Sequence, residues 1–244
     1  MKMKKIGKKS RIFIVSAALL IAVAIISVCL FQFGTMRAVL DAKKYYNNKV
    51  SAFSVENFNS STGQIVFVGD SITDLYKLDS YYADLDLASY NRGIGGDTTQ
   101  GVIERLDVSI FDIMPSKIVL MIGTNDVNGN VQNEKILSNY RIIFSEIKKN
   151  QPTVDVFVMS IIPQNKDIEK AAGIDVTKNN KTIKYLNSEI KNLCGEYGYS
   201  FLEIYDLLLD EEGYLDKEYS DDGLHLNVAG FEIWTEVLKP YLMK

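Results

Sequence analysis

The first clear pattern in the chain is an uninterrupted one. From Ile12 to Phe33 the residues are almost all apolar, broken only by Ser16, Ser27 and Gln32. A helix of that length measures about 33 Å, enough for a hydrocarbon core of about 30 Å, so the pattern predicts a transmembrane helix. Residues 34–63 show no clear apolar period and end in Asn57-Phe58-Asn59-Ser60-Ser61-Thr62-Gly63. They read as a stalk, partly helical near Met36–Tyr46, leading to a polar loop. From residue 64 onward, short apolar runs alternate with amphipathic stretches. Strands are predicted at Ile65–Val68, Lys117–Ile122, Val154–Ile162 and Tyr199–Ile204, with a weaker one at Asp86–Asn91. Helices are predicted at Ser71–Lys77, at Asp97–Leu106 and at Val228–Tyr241. Asp97 and Gln100 are spaced like a capping box at the start of the second. Two further helices follow from the stripes Ile136, Leu137, Tyr140, Ile143, Phe144, Ile147 and Ile183, Leu186, Ile190, Leu193, Tyr197. Near-continuous apolar strands between amphipathic helices imply an α/β fold, a parallel sheet covered on both faces. Residues 163–177 form a longer irregular connection that could rim a binding site.

Charge sharpens the division of the chain. Residues 1–11 hold six basic residues and no acid, whereas the whole chain has formal charge −4. The body is therefore acidic, which argues against a nucleic-acid partner. The basic cluster should stay in the cytoplasm. The expected organisation is a basic cytoplasmic tail (1–11), a transmembrane signal-anchor (12–33), a stalk (34–63) and a domain outside the cell (64–244). A cleaved signal peptide with secretion is the alternative, and lipidation at Cys29 a further one. With 47% hydrophobic residues the chain can build a core, and a domain of roughly 180 residues buries about 70% of its unfolded surface. The two cysteines, Cys29 and Cys194, predict no disulfide framework. One histidine, His225, excludes a multi-histidine metal site, and no metal or organic cofactor is expected. Nothing in the pattern specifies an oligomer.

The chemistry-bearing residues lie where predicted strands end. Ile65–Val68 runs into Gly69-Asp70-Ser71-Ile72-Thr73. A serine between strand and helix can project its hydroxyl from the carboxyl edge of the sheet, and the N–H groups of the next helix can hold negative charge. The same residues could simply cap the helix. The weaker strand runs into Gly93-Ile94-Gly95-Gly96-Asp97, whose backbone N–H groups are free of side-chain obstruction. The third runs into Gly123-Thr124-Asn125-Asp126, where Asn125 offers a carboxamide donor. In a doubly wound sheet these turns fall side by side. Beyond the last strand, Asp222-Gly223-Leu224-His225 lets an aspartate fold back one turn and orient the imidazole. Taken singly, each has a bland reading as turn, cap or structural histidine. A nucleophile elbow is excluded because Thr73 stands where it needs glycine. A chymotrypsin-like order is excluded because the histidine follows the serine. Thr98 stands where a dinucleotide fingerprint needs its third glycine.

With these four blocks in order, the chain resembles the SGNH hydrolases of the GDSL esterase/lipase superfamily over about residues 64–240. Asn91-Arg92-Gly93-Ile94-Gly95-Gly96-Asp97-Thr98-Thr99 most resembles the platelet-activating-factor acetylhydrolase-like branch. The expected fold class is thus a three-layer, doubly wound, flavodoxin-like parallel sheet of about five strands preceded by one N-terminal transmembrane helix. The resemblance implies a nucleophile at Ser71, a base at His225 and an orienting carboxylate at Asp222. It implies oxyanion donors at the Ser71 N–H, the Gly96 N–H and the Asn125 side chain. The expected activity is carboxylic ester hydrolysis through an acyl-enzyme, with an acetyl or other short acyl group on an extracellular glycan as substrate. A lysophospholipase or acetylhydrolase acting on lipid-like esters is the alternative, and an anchored glycan-binding module without turnover a third reading.

Overall fold

The computed structural model describes residues 34–169 and 173–244. Residues 34–57 form one helix, α1. The chain divides into two compact units at residue 48, and the second, Lys49–Lys244, carries the sheet. Among the described residues no helix is long and apolar enough to cross a membrane. This corrects the expected fold class in its last part: no spanning helix precedes the sheet among the residues that the structure describes. The physical reason is visible in α1, where Arg37, Asp41, Lys43 and Lys44 break any apolar run. The predicted span, residues 12–33, lies outside the described residues. The expected single-pass membrane location, with a membrane as partner, is withdrawn on the same finding.

The sheet has five parallel strands: β1 Ile65–Gly69, β2 Ser89–Gly93, β3 Lys117–Met121, β4 Asp155–Met159 and β5 Ser200–Leu202. Their spatial order is β2-β1-β3-β4-β5. Alternate residues of a strand face opposite sides, and both sides are covered here. Val66, Val68, Ile118 and Leu120 pack with apolar residues of α4 (Thr99–Glu104), α6 (Asn133–Asn150) and α7 (Val176–Tyr197). Ile65, Phe67, Val119 and Met121 pack with those of α2 (Ser71–Asp74), α3 (Leu78–Tyr82) and α8 (Val228–Leu242). All residues of β1 and β3 are buried, which is why both strands read as continuous apolar runs. A further helix, α5, is the single turn Thr124–Asn128 after β3.

Gly69 pairs with Gly93 on one side and Met121 on the other, so β2, β1 and β3 end level. The chain runs from β1 outward to β2 and then returns to β3 on the other flank of β1. A crevice opens at the carboxyl edge of such a switch point.

Three local expectations shift. The second strand begins at Ser89 rather than Asp86, because β1 offers it partners only from Ile65 onward. The helix after it is capped by Thr98, whose hydroxyl accepts the Gly101 N–H, while Asp97 turns inward to Arg105. The apolar run Val154–Ile162 leaves the sheet after Met159. Ile161 is still buried, but its N–H and C=O are taken by the Asn187 side chain at 2.9 and 2.8 Å. Within the predicted rim, Gln164, Asn165 and Ile168 are buried.

Candidate active site

The turn after β1 assigns its polar groups to separate tasks. Asp70 is the N-cap of α2, and its Oδ1 accepts the Ile72 N–H at 3.0 Å. Capping is therefore the work of Asp70 and not of Ser71, whose side chain is left to turn toward the crevice. Gly69 tolerates no side chain: a Cβ there would meet Thr73 Oγ1 at 2.2 Å and the Met121 carbonyl at 2.3 Å. That close approach fits α2 tightly against β3.

Ser71 Oγ lies 2.9 Å from His225 Nε2, and His225 Nδ1 lies 2.6 Å from Asp222 Oδ2. The loop ahead of α8 folds back on itself to allow this. Asp222 Oδ1 accepts the backbone N–H of Leu224 at 2.9 Å and of His225 at 2.7 Å. Gly223 turns the chain at φ +80°, and its carbonyl accepts the Asn165 N–H at 2.9 Å. Burial pushes the Asp222 carboxyl up, but the hydrogen bonds from the His225 ring and the two N–H groups outweigh it and hold it below its ordinary value. It remains an anion beside the imidazole. The anionic Asp222 favours the tautomer with the proton on Nδ1, which leaves Nε2 as an acceptor toward the serine hydroxyl.

The other two turns converge on the same edge. Gly96 takes φ +77°, a conformation that a side chain disfavours. Asn125 stands on α5, and one of its two amide hydrogens goes to the Asp97 carbonyl at 2.9 Å. This contact ties the carboxamide to the turn that carries Gly96 and leaves the second hydrogen for another acceptor. Asp126 locks the two turns together, accepting the Thr99 N–H at 2.9 Å and the Thr99 hydroxyl at 2.6 Å.

One residue the sequence reading passed over is central here. Arg105 is buried and donates to Asp97 Oδ2 at 2.8 Å, to the Arg92 carbonyl at 2.7 Å and to the Gly69 carbonyl at 3.0 Å. It therefore joins the carboxyl ends of β1 and β2. Its spacing from Val102 and Ser109, both buried, was the available signal, since it places a cation on an inward face. Three carboxyl groups lie beneath the turns. Burial raises Asp70 to about 7, assisted by the charges of Asp97 and Asp126. Burial also raises Asp97, against the opposing pull of Arg105, and raises Asp126, against its bonds from Thr99. Among the described residues no cluster of acidic, cysteine or histidine side chains could hold a metal ion.

Comparison with known proteins places the fold in a family. The profile of the GDSL-like lipase/acylhydrolase family matches residues 67–233. The platelet-activating factor acetylhydrolase IB subunit alpha2 of Rattus norvegicus is 28% identical over 179 residues, 72% of this chain and 73% of that protein. A Streptococcus pneumoniae protein, described as a candidate platelet activating factor, is 30% identical with a TM-score of 0.79 over 86% of this chain and 98% of its own. A GDSL-like lipase from Bacteroides thetaiotaomicron shares the fold, with a TM-score of 0.68 at 21% identity over 81% of this chain and 98% of its own.

Proposed function

From the premise that the chain belongs to the GDSL-like lipase/acylhydrolase family and is a carboxylic ester hydrolase, we propose that Ser71, His225 and Asp222 carry out its acyl transfer. The observation that supports this most directly is the unbroken chain of contacts from Ser71 Oγ through His225 to Asp222. His225 Nε2 takes the Ser71 proton as Oγ attacks the ester carbonyl, and Asp222 stabilises the imidazolium that forms. The tetrahedral oxyanion is received by the Ser71 and Gly96 N–H groups and the free Asn125 amide hydrogen. Collapse expels the alcohol, which leaves with the proton held on His225. Water then repeats the sequence on the acyl-serine and releases the acid. General base action supplies about 10²–10⁴ in rate, and one oxyanion donor about 10²–10³.

The acyl group proposed is short, acetyl first. The Rattus norvegicus relative named above is an acetylhydrolase, and the triad is open to solvent at its carboxylate end. The Asp222 side chain is 54% exposed. An apolar groove lies elsewhere, between α3 and α8, lined by Tyr81, Thr235 and Met243, and contains none of the three residues. A long acyl chain would lack cover at the serine. For the alcohol half the proposal is a hydroxyl-rich glycan, suited to a triad with exposed polar side chains. An acetylated lipid-like ester is the second reading, favoured by the name of the platelet-activating factor acetylhydrolase relative. The test is hydrolysis of p-nitrophenyl esters of rising chain length, an acetylated oligosaccharide and an acetylated phospholipid by wild type and Ser71→Ala. Activity should be highest on acetate and absent in Ser71→Ala. Full activity of that variant would sink the assignment. Acetate release from the phospholipid alone would select the second reading.

A further inference from the structure

Asn125 stands on a helix of five residues. A single turn has almost no stability of its own, so, beyond the carboxamide's own bond to the Asp97 carbonyl, the aim of Asn125 depends on what holds α5. On the α4 side the tie is Asp126 to Thr99. At the start of α5, Gly123 takes φ +129° with Ile161 against it, where a Cβ would lie 2.7 Å from Ile161 Cδ1. On the α7 side stands a closed ring of carboxamides. Asn128 Oδ1 accepts from Gln164 Nε2 at 2.8 Å and from Asn179 Nδ2 at 3.0 Å. Asn179 Nδ2 also reaches Gln164 Oε1 at 3.2 Å.

The ring is itself held rigidly. Gln164 is fully buried, and Asn180 clasps its backbone by accepting its N–H and donating to its C=O, both at 2.9 Å. Asn187 clasps Ile161 in the same two-way manner. Buried carboxamides are costly unless bonded, and apolar side chains would fill the same volume at lower cost. What a bonded ring adds over apolar packing is direction. None of these residues belongs to the Ser71–His225–Asp222 chain or to the proposed oxyanion donors.

Resting on the reading of Asn125 as an oxyanion donor, we propose that Asn128, Gln164 and Asn179 are positioning residues that set its aim by fixing α5 against α7. Asn128 acts here only as an acceptor of two hydrogen bonds. Asn128→Asp therefore keeps the function and Asn128→Leu removes it at similar size.

The experiment is a double-mutant cycle on p-nitrophenyl acetate. Asn128→Leu should lower kcat about 10-fold, with KM changed less than about twofold, because misplacing a transition-state donor affects the chemical step. Asn128→Asp should recover most of the loss. In an Asn125→Ala background, Asn128→Leu should cost less than about twofold more, since the donor it positions is gone. Asn179→Ala, which leaves α5 untouched in sequence, should show the same dependence on Asn125 with a smaller loss. Equal losses in the presence and absence of Asn125, or an Asn128→Asp as impaired as Asn128→Leu, would overturn the network alone. A fully active Asn125→Ala would overturn the reading of Asn125 and the network with it.

Discussion

At the scale of single residues, the site depends on side chains given one task each. Asp70 caps α2, so Ser71 need not, and the serine hydroxyl is free for His225. The cost of that division falls on Asp70, a fully buried carboxyl with Oδ2 left without a partner. Its pKa rises from 3.8 in the ordinary state to about 7 in the fold. Between those values the folded chain holds a proton that the unfolded chain has released, so this group's contribution falls as pH rises through that window. Below it the contribution is fully present; above it the buried charge works against the fold. Asn at this position retains the Oδ1 acceptor for the Ile72 N–H and has no charge to bury. The stability of Asp70→Asn relative to wild type should therefore increase between about pH 5 and pH 8, by an amount on the order of a few kcal/mol. Urea melts at the two pH values measure it, and an unchanged difference would contradict the account. Ser71, Asp222 and His225 were legible as candidates, the serine because it follows a predicted strand and the other two because the one histidine lies three positions after an aspartate. The division of labour between Asp70 and Ser71 was not, since both are good caps by type.

At the scale of elements, the edge is assembled by what joins strand ends. Arg105 bonds the carbonyls of Gly69 and Arg92 and pairs with Asp97, with both charged side chains almost fully enclosed. Arg105→Met should destabilise the domain by about 3–5 kcal/mol, because it leaves Asp97 buried without its partner. Adding Asp97→Asn should return part of that loss. Thermal melts of the single and double variants test this, and a double variant no better than the single would refute the pairing argument. The strands were legible to different degrees for a physical reason. β1 and β3 are buried along their whole length and so carry an unbroken apolar signal. β2 lies at the sheet edge with Ser89, Tyr90 and Asn91 only partly buried, so its ends are decided by pairing with β1. The Asp97–Gln100 spacing suggested a capping box; the nearby buried arginine drew Asp97 away and Thr98 took the cap.

At the scale of the whole molecule, the compact unit that carries the sheet begins at Lys49, inside the region predicted as a stalk. Phe53 is buried, the Arg92 guanidinium lies 4.9 Å from its ring, and Glu56 and Asn57 bond the same guanidinium. A fragment of residues 60–244 should thus be less stable than one of residues 49–244 by at least about 3 kcal/mol, through lost aromatic packing and an unpaired arginine. Equal denaturant midpoints would show that the end of α1 contributes nothing. The sequence by itself determined the alternating architecture, the parallel sheet and the four blocks of chemistry. Apolar period and turn-forming residues are local signals, and strand ends in such a sheet must share an edge. Only the tertiary structure decided that Arg105 joins two strand ends, that Asp70 is enclosed, and that carboxamides of α7 hold the loop after β4 against α5. Each of these depends on partners 8 to 56 positions apart, contacts that sequence spacing does not specify. They become neighbours only when the sheet sets the register.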